Sequence, residues 1–322
     1  EWDPAVLEDG RVIYTRWDYV DRNAVHYQQL WTTRPDGSSP LAYYGNNTLS
    51  PVGVWEARSV PGSSHVMATA AAHHAMTAGS IILLDTTKGI DGAEPITRLT
   101  PDAPFPESET HVAPNNWHAP GSPAEYATPE EEKRWPGHCY RSPWPLSEDY
   151  FLAAYSFDAL IGEPDGNRAN MFGLYLGDAF GNKELLYRDL NIASQWPVPI
   201  RPRPRPHVLP GMLDPSLGRE GTFYVQNVYE SNVALPAGAV KAMRILQVLP
   251  KTTPNANNPS VGLANASPGK QVLGTVPVEP DGSVFFRAPA GIPLSFQVLD
   301  EHGQSIHTMR SVPIPLTPTL LC

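Results

Sequence analysis

The chain has 322 residues, enough for two domains or for one large β-domain with an appendage. Hydrophobic residues make up 41% and charged residues 17%, the reverse of the balance in a disordered chain, so the 36 prolines and 25 glycines are read as punctuation between many short strands. The net charge of −10 comes without a basic stripe, which argues against nucleic-acid partners, and no apolar run approaches the roughly 20 residues of a membrane-spanning helix.

In chain order, Glu1 to Gly45 is the first unit. It begins without Met or a signal sequence, so the chain is expected to be a processed or excised piece of a longer protein. Leu7–Arg16 (LEDGRVIYTR) is a polar turn followed by a strand, with Arg11–Thr15 as the inner strand. The run Arg16–Arg22 is dense in charge and aromatics. It either lines a site, with Arg and Asp bonding a ligand held between π-faces, or forms an aromatic-capped salt bridge between neighbouring units. Gln29–Gly45 (QLWTTRPDGSSPLAYYG) reads as strand, turn, strand, with Pro35-Asp36-Gly37 as the turn.

The same grammar returns over Asn46–Thr100, in VPGSSHVMAT and then SIILLDTTKGIDGAEPITRLT. His73 and His74 follow small residues where the backbone leaves a strand. Imidazoles there either meet a metal or haem, or bond loop backbone, and adjacent residues of an extended chain point to opposite faces. Pro101–Pro143 breaks the pattern and reads as an irregular insertion, with a short helix at Thr128–Arg134 capped by Thr128. His111, His118, His138 and Cys139 are metal-ligand types, but no spacing matches a zinc site, so no metal site is expected.

The grammar appears a third time over Trp144–Asp189, in PLSEDYFLAAYS and GLYLGDAFGNKELLYR, with Ala179–Asn182 as the hairpin turn. Alternating Arg and Pro in Arg201–Pro206 predicts an extended polyproline strut. It serves either as a strap whose arginines pair with carboxylates or as a recogniser of an anionic group such as a haem propionate. Gly221–Tyr229 is an aromatic strand, Ala239–Leu249 a strand or short helix, and Lys251–Lys270 a loop. Val272–Arg310 alternates strands and turns in the manner of a small β-sandwich.

Three copies of turn–strand, gap, strand–turn–strand point to small antiparallel sheets repeated side by side. The fold expected is all-β. A partial β-propeller of TolB/WD40-like blades spans residues 1–230, interrupted at about 101–143, and a small β-sandwich-like domain spans 231–322. Two cysteines, Cys139 and Cys322, define no disulfide framework.

Several stretches together resemble the hydrazine synthase alpha subunit family: DGRVIYTRWDYVDRN, YYGNNTLSP, PLSEDYFLAAYS, DAFGNKELLYRD, RPRPRP, VQNVY and VPVEPDGSVFFRAPAG, in that order along nearly the whole chain. The resemblance implies a middle propeller, preceded by a cytochrome-like domain and followed by a domain with a second c-type haem. This chain then corresponds to the later part of the propeller and the start of the final domain. By the same resemblance haem c is the cofactor, and Cys322, which follows Met309-Arg310-Ser311, is the first thioether cysteine of a haem-attachment motif. Tyr229 in VQNVY is an axial ligand of the catalytic haem, with His73 and His74 facing it. The implied protein is an exported, periplasmic or equivalently located multihaem cytochrome-like oxidoreductase acting on small nitrogen compounds, its partners being other haem domains of the same or partner subunits. The competing reading is a non-catalytic propeller that serves binding or assembly. It is prompted by the absence of a legible Ser-His-Asp or paired-carboxylate constellation.

Overall fold

The structure is a computed structural model that describes residues 1–17, 27–73, 77–103, 105–106, 138–158, 168–214, 216, 219–231, 233–250, 252, 258–260, 269–310 and 319–321. The chain forms two compact units, Glu1–Thr33 with Leu41–Leu209, and Arg34–Pro40 with Pro210–Cys322. The short helix expected at Thr128–Arg134 lies outside the described residues, as do His74, His111, His118 and Cys322.

The first unit is three four-stranded antiparallel meanders set side by side, the arrangement of propeller blades. The first blade is β1 (Trp2–Val6), β2 (Val12–Trp17), β3 (Gln28–Thr33) and β4 (Leu41–Tyr44). The second is β5 (Gly53–Ser59), β6 (Val66–Ala71), β7 (Gly79–Leu84) and β8 (Ile96–Arg98). The third is β9 (Cys139–Pro145), β10 (Tyr150–Ser156), β11 (Gly173–Asp178) and β12 (Lys183–Tyr187). Single bridges, Gln28 to Gly53 and Gly79 to Tyr140, join successive blades.

The middle blade explains why the blades stack. Residues of a strand alternate between its faces. Val66, Ala68, Ala70, Ile82 and Leu84 meet Ile13, Leu30 and Tyr44 of the first blade. The intervening Met67, Ile81 and Leu83 meet Tyr140, Phe151 and Tyr155 of the third. Buried on both faces, β6 and β7 read in sequence as mostly apolar runs, broken by Thr69 and Ser80, rather than alternating ones. Each large side chain so buried contributes about 1.5–3 kcal/mol, which a lone blade could not gain.

The second unit packs a three-stranded sheet on a four-stranded one. The first consists of β13 (Glu220–Val225), β16 (Val284–Pro289) and β19 (Thr319–Leu321). The second consists of β14 (Ala242–Val248), β15 (Lys270–Pro277), β17 (Leu294–Leu299) and β18 (Ser305–Arg310). Phe223 and Phe286, register partners on β13 and β16, stack with centroids 4.8 Å apart, and Phe296 from the facing sheet meets both edge-on at 5.7 Å. This is the sandwich read from Val272–Arg310, with two strands added from earlier in the chain.

Three expectations change and one open alternative closes. The units divide at 209/210 rather than 230/231, because the aromatic strand Glu220–Val225 finds its ladder partner in Val284–Pro289. Of the two readings of Ala239–Leu249, the strand is the one formed, at Ala242–Val248. The insertion ends earlier than Pro143, since Cys139–Pro143 belongs to β9. The arginines of the strut, Arg201, Arg203 and Arg205, are exposed, and among the described residues none pairs with a carboxylate. Arg203 instead lies over the Trp144 ring at 4.8 Å, and the strut is followed by an anchor from the His207 amide to the Glu8 carbonyl at 3.1 Å.

Candidate functional site

The first strand of every blade is bulged at the same place. On β1, Asp3-Pro4 face the single residue Tyr14; on β5, Glu56-Ala57 face Ala68; on β9, Ser142-Pro143 face Ala153. The leading residue of each pair is left-handed, with φ 51° at Asp3, 58° at Glu56 and 53° at Ser142. None is glycine, so each bulge carries strain on the order of 1 kcal/mol or more.

The acids of the bulges offset that strain by bonding the next blade. The Asp3 carboxylate is supported by the backbone of Glu56. The Glu56 carboxylate accepts the backbone amide of Ser142 at its Oε2 and the Ser142 hydroxyl at 3.2 Å. Blade one thus clamps blade two, and blade two clamps blade three, each through an acidic side chain on a bulge amide.

Glu56 is 1% exposed, so its charge must be met inside the protein. The Arg141 guanidinium donates to Oε1 at 2.9 and 3.3 Å, and the Thr69 hydroxyl donates to Oε2 at 2.8 Å. Burial and the nearby Glu56 charge push the Asp3 carboxyl above the usual carboxylate range. Burial pulls the Arg58 guanidinium down, although Glu56 and Asp3 oppose it.

An aromatic shell adjoins these charges. Trp2 lies 5.8 Å from Trp55, edge-on, and 6.0 Å from Trp17, and Trp17 meets His73 at 6.5 Å. The Trp55 indole donates to the Ala72 carbonyl at 3.1 Å. Gly53 makes this possible, because a Cβ there would sit 2.4 Å from the indole nitrogen. Trp2 remains 43% exposed. The arrangement therefore offers one open indole beside an acid pair and two arginines, with the buried charges already engaged with one another.

The expected site residues are distributed as follows. His73 is 7% exposed and lies in the first unit against Trp17. Tyr229 lies in the second unit, half-buried on the turn after β13. Its hydroxyl donates to the Val240 carbonyl at 3.4 Å, and its ring fits over Gly282, where a Cβ would come within 3.0 Å. Trp17, from the Arg16–Arg22 run, joins the aromatic shell, while Arg16 stacks over Trp31 at 4.5 Å. The Asp3, Glu56 and Arg141 constellation was not anticipated. The one sequence signal for it is the recurrence of Trp-Asp at 2–3 as Trp-Glu at 55–56.

Residues 238–318 match the family model described as the hydrazine synthase alpha subunit middle domain, and the match falls on the second unit. The solved structure of Kuenenia stuttgartiensis hydrazine synthase is similar over the whole of this chain, with a TM-score of 0.69 at 17% identity. This chain spans 43% of that one, and at such identity the likeness is one of fold. No curated protein matches the sequence. The chain resembles the hydrazine synthase alpha subunit middle domain in sequence over residues 238–318, and a hydrazine synthase chain in fold over its entire length.

Proposed function

We propose that this chain is the propeller-and-linker portion of an exported, multihaem c-type cytochrome-like protein of hydrazine synthase alpha type. Its role is to hold haem domains in fixed relation for redox chemistry on small nitrogen compounds. The observation that carries the reading is the end-to-end fold likeness to hydrazine synthase together with the family match at 238–318.

The residues fit a haem at one point. Tyr229 has a half-buried phenol whose hydroxyl, among the described residues, makes one long bond of 3.4 Å, so giving that bond up to an iron supplied by a neighbouring domain costs little. His73 fits less well, since its imidazole is packed under Trp17. Among the described residues no group of three His, Cys, Asp or Glu side chains could hold a metal ion. The sequence contains no C-x-x-C-H, and burial pushes the Cys139 thiol up to about 12, so it is no thiolate at neutral pH. On this reading the family resemblance makes Cys322 the first thioether cysteine of the haem's attachment motif. When bound it would supply the electron transfer, and this chain would supply one ligand and a rigid mount.

The test is the absorption spectrum of the full-length protein made in a host that matures c-type cytochromes. A Soret band with a c-type pyridine haemochrome is expected; a colourless protein ends the haem reading. One observation favours the alternative, a binding or assembly module: Glu56 and Arg141, the buried acid and arginine of the blades, are bonded to each other. The same colourless result would favour it.

A further inference from the structure

The third blade carries a second cluster, built on different residues. Tyr140 and Tyr155 are register partners on β9 and β10, and their rings lie 4.7 Å apart. Tyr175, from β11, meets Tyr155 edge-on at 5.1 Å. Three phenols thus form one continuous ring contact across three neighbouring strands.

Two of the three phenols are bonded to a base. The Tyr155 hydroxyl bonds Nδ1 of His138, donating to it when the imidazole carries its proton on Nε2. The Tyr140 hydroxyl donates to the Asp102 carboxylate at 2.8 Å, and Lys183 holds that carboxylate at 2.9 Å. The hydrogen bond to Lys183 keeps Asp102 ionised, lowering its carboxyl against the effect of burial. Tyr140 and Tyr155 are 2% and 5% exposed, whereas His138 is exposed. Burial drives Tyr155 up to about 12, so at neutral pH the phenol keeps its proton until something removes it.

A buried phenol needs a partner merely to stay satisfied, and a backbone carbonyl would suffice. An imidazole open to solvent does more, because it can take a proton and pass it to water. We propose that Tyr155, backed by His138 and flanked by Tyr140 and Tyr175, is a one-electron relay. The oxidant is of the high-valent iron or nitrogen-oxide radical class. One electron leaves Tyr155 for the oxidant, which is reduced by one electron. The phenolic proton passes to Nδ1 of His138, giving a neutral tyrosyl radical beside an imidazolium. Tyr140 then returns the electron through ring contact and releases its proton to Asp102, while Tyr155 takes its proton back from the His138 imidazolium. The relay goes beyond the haem reading and does not depend on it.

The test uses the whole chain with a photogenerated ruthenium(III) polypyridyl complex as oxidant, followed by freeze-quench electron paramagnetic resonance. The wild type should give a tyrosyl signal whose formation slows at least twofold in deuterated buffer. Tyr155→Phe keeps the ring contacts and should lose most of that signal. His138→Gln keeps a hydrogen-bond partner without the base and should slow formation about tenfold or more. Circular dichroism confirms that both variants fold. A signal of wild-type size in Tyr155→Phe, which among the chain's 13 tyrosines would place the radical elsewhere, overturns the proposal. So does wild-type kinetics in His138→Gln.

Discussion

Glu56→Ala is the most demanding perturbation of the blade clamp. The carboxylate is 1% exposed and meets Arg141, Thr69 and Ser142 at once. Its removal leaves the Arg141 guanidinium, only 16% exposed, without a counter-ion, which for a buried pair costs about 3–5 kcal/mol. The Ser142 amide and Thr69 hydroxyl are orphaned too, at about 1–3 kcal/mol each, though part of this is already within the pair's loss. Alanine at φ 58° keeps the backbone strain. A net loss of about 4 kcal/mol follows, a large part of the stability of an ordinary domain. Glu56→Gln keeps the acceptor and the volume but not the charge, and should lose about 1–3 kcal/mol. All eight tryptophans lie in the first unit, so urea unfolding followed by tryptophan fluorescence reports on that unit. In a double-mutant cycle with Arg141→Met, the coupling should be at least about 1.5 kcal/mol. A loss below about 1 kcal/mol in Glu56→Ala, or no coupling to Arg141, would refute the clamp.

Asp3→Asn keeps an acceptor for the Glu56 backbone while removing a charge that burial and Glu56 disfavour. A carboxyl raised by folding gives stability below its ordinary range that is lost as pH rises through the raised value. The variant should therefore exceed the wild type at pH 7, by about 0.5 kcal/mol after allowing for partial solvent screening, and match it in acid. Asp36 is the opposite case. The Ser38 hydroxyl and the Ser38 and Met212 amides bring it from 3.8 down to about 2. Its contribution is complete above its ordinary value and fades as pH falls towards about 2, so Asp36→Asn should speed amide exchange at Met212 at pH 7 and make no difference near pH 2. Gly53→Ala would drive a methyl into the Trp55 indole, 2.4 Å away, breaking its bond to Ala72. A loss of about 1–3 kcal/mol and a changed tryptophan emission are expected, against no change if the indole is free to shift.

How much of this was legible in the sequence follows from the strands themselves. The second, third and fourth strands of each blade were readable. Val12–Trp17 is an apolar stretch after a polar turn, Gln28–Thr33 carries Leu30-Trp31 ahead of the Pro35-Asp36-Gly37 turn, and Gly79–Leu84 is an apolar run bounded by turn residues. The first strands were not, because a bulge shifts the two-residue period midway. Trp2–Val6 and Cys139–Pro145 also contain prolines, which argue against a strand unless it is bulged. The candidate site lies on those three strands, so the feature that hid them also hid the site. The acid pair was invisible for a further reason. Asp3 and Glu56 are 53 positions apart, and only the side-by-side stacking of blades brings the first beside the backbone of the second. Tyr229 was placed by family resemblance. What its neighbourhood adds is Gly282, at φ 86°, where a Cβ would sit 2.4 Å from Asn227 Oδ1 and 3.0 Å from the Tyr229 ring.

The central claim, that this chain mounts a haem domain and offers it a tyrosine, is tested most directly by Tyr229→Phe in the full-length protein. Phenylalanine keeps the ring over Gly282 and gives up a single 3.4 Å hydrogen bond, so the fold should persist. Resonance Raman spectra of the ferric wild type should contain phenolate modes that vanish in the variant, with a rise in the haem reduction potential as the anionic ligand is lost. Identical spectra and potentials in the two proteins would contradict the assignment of Tyr229.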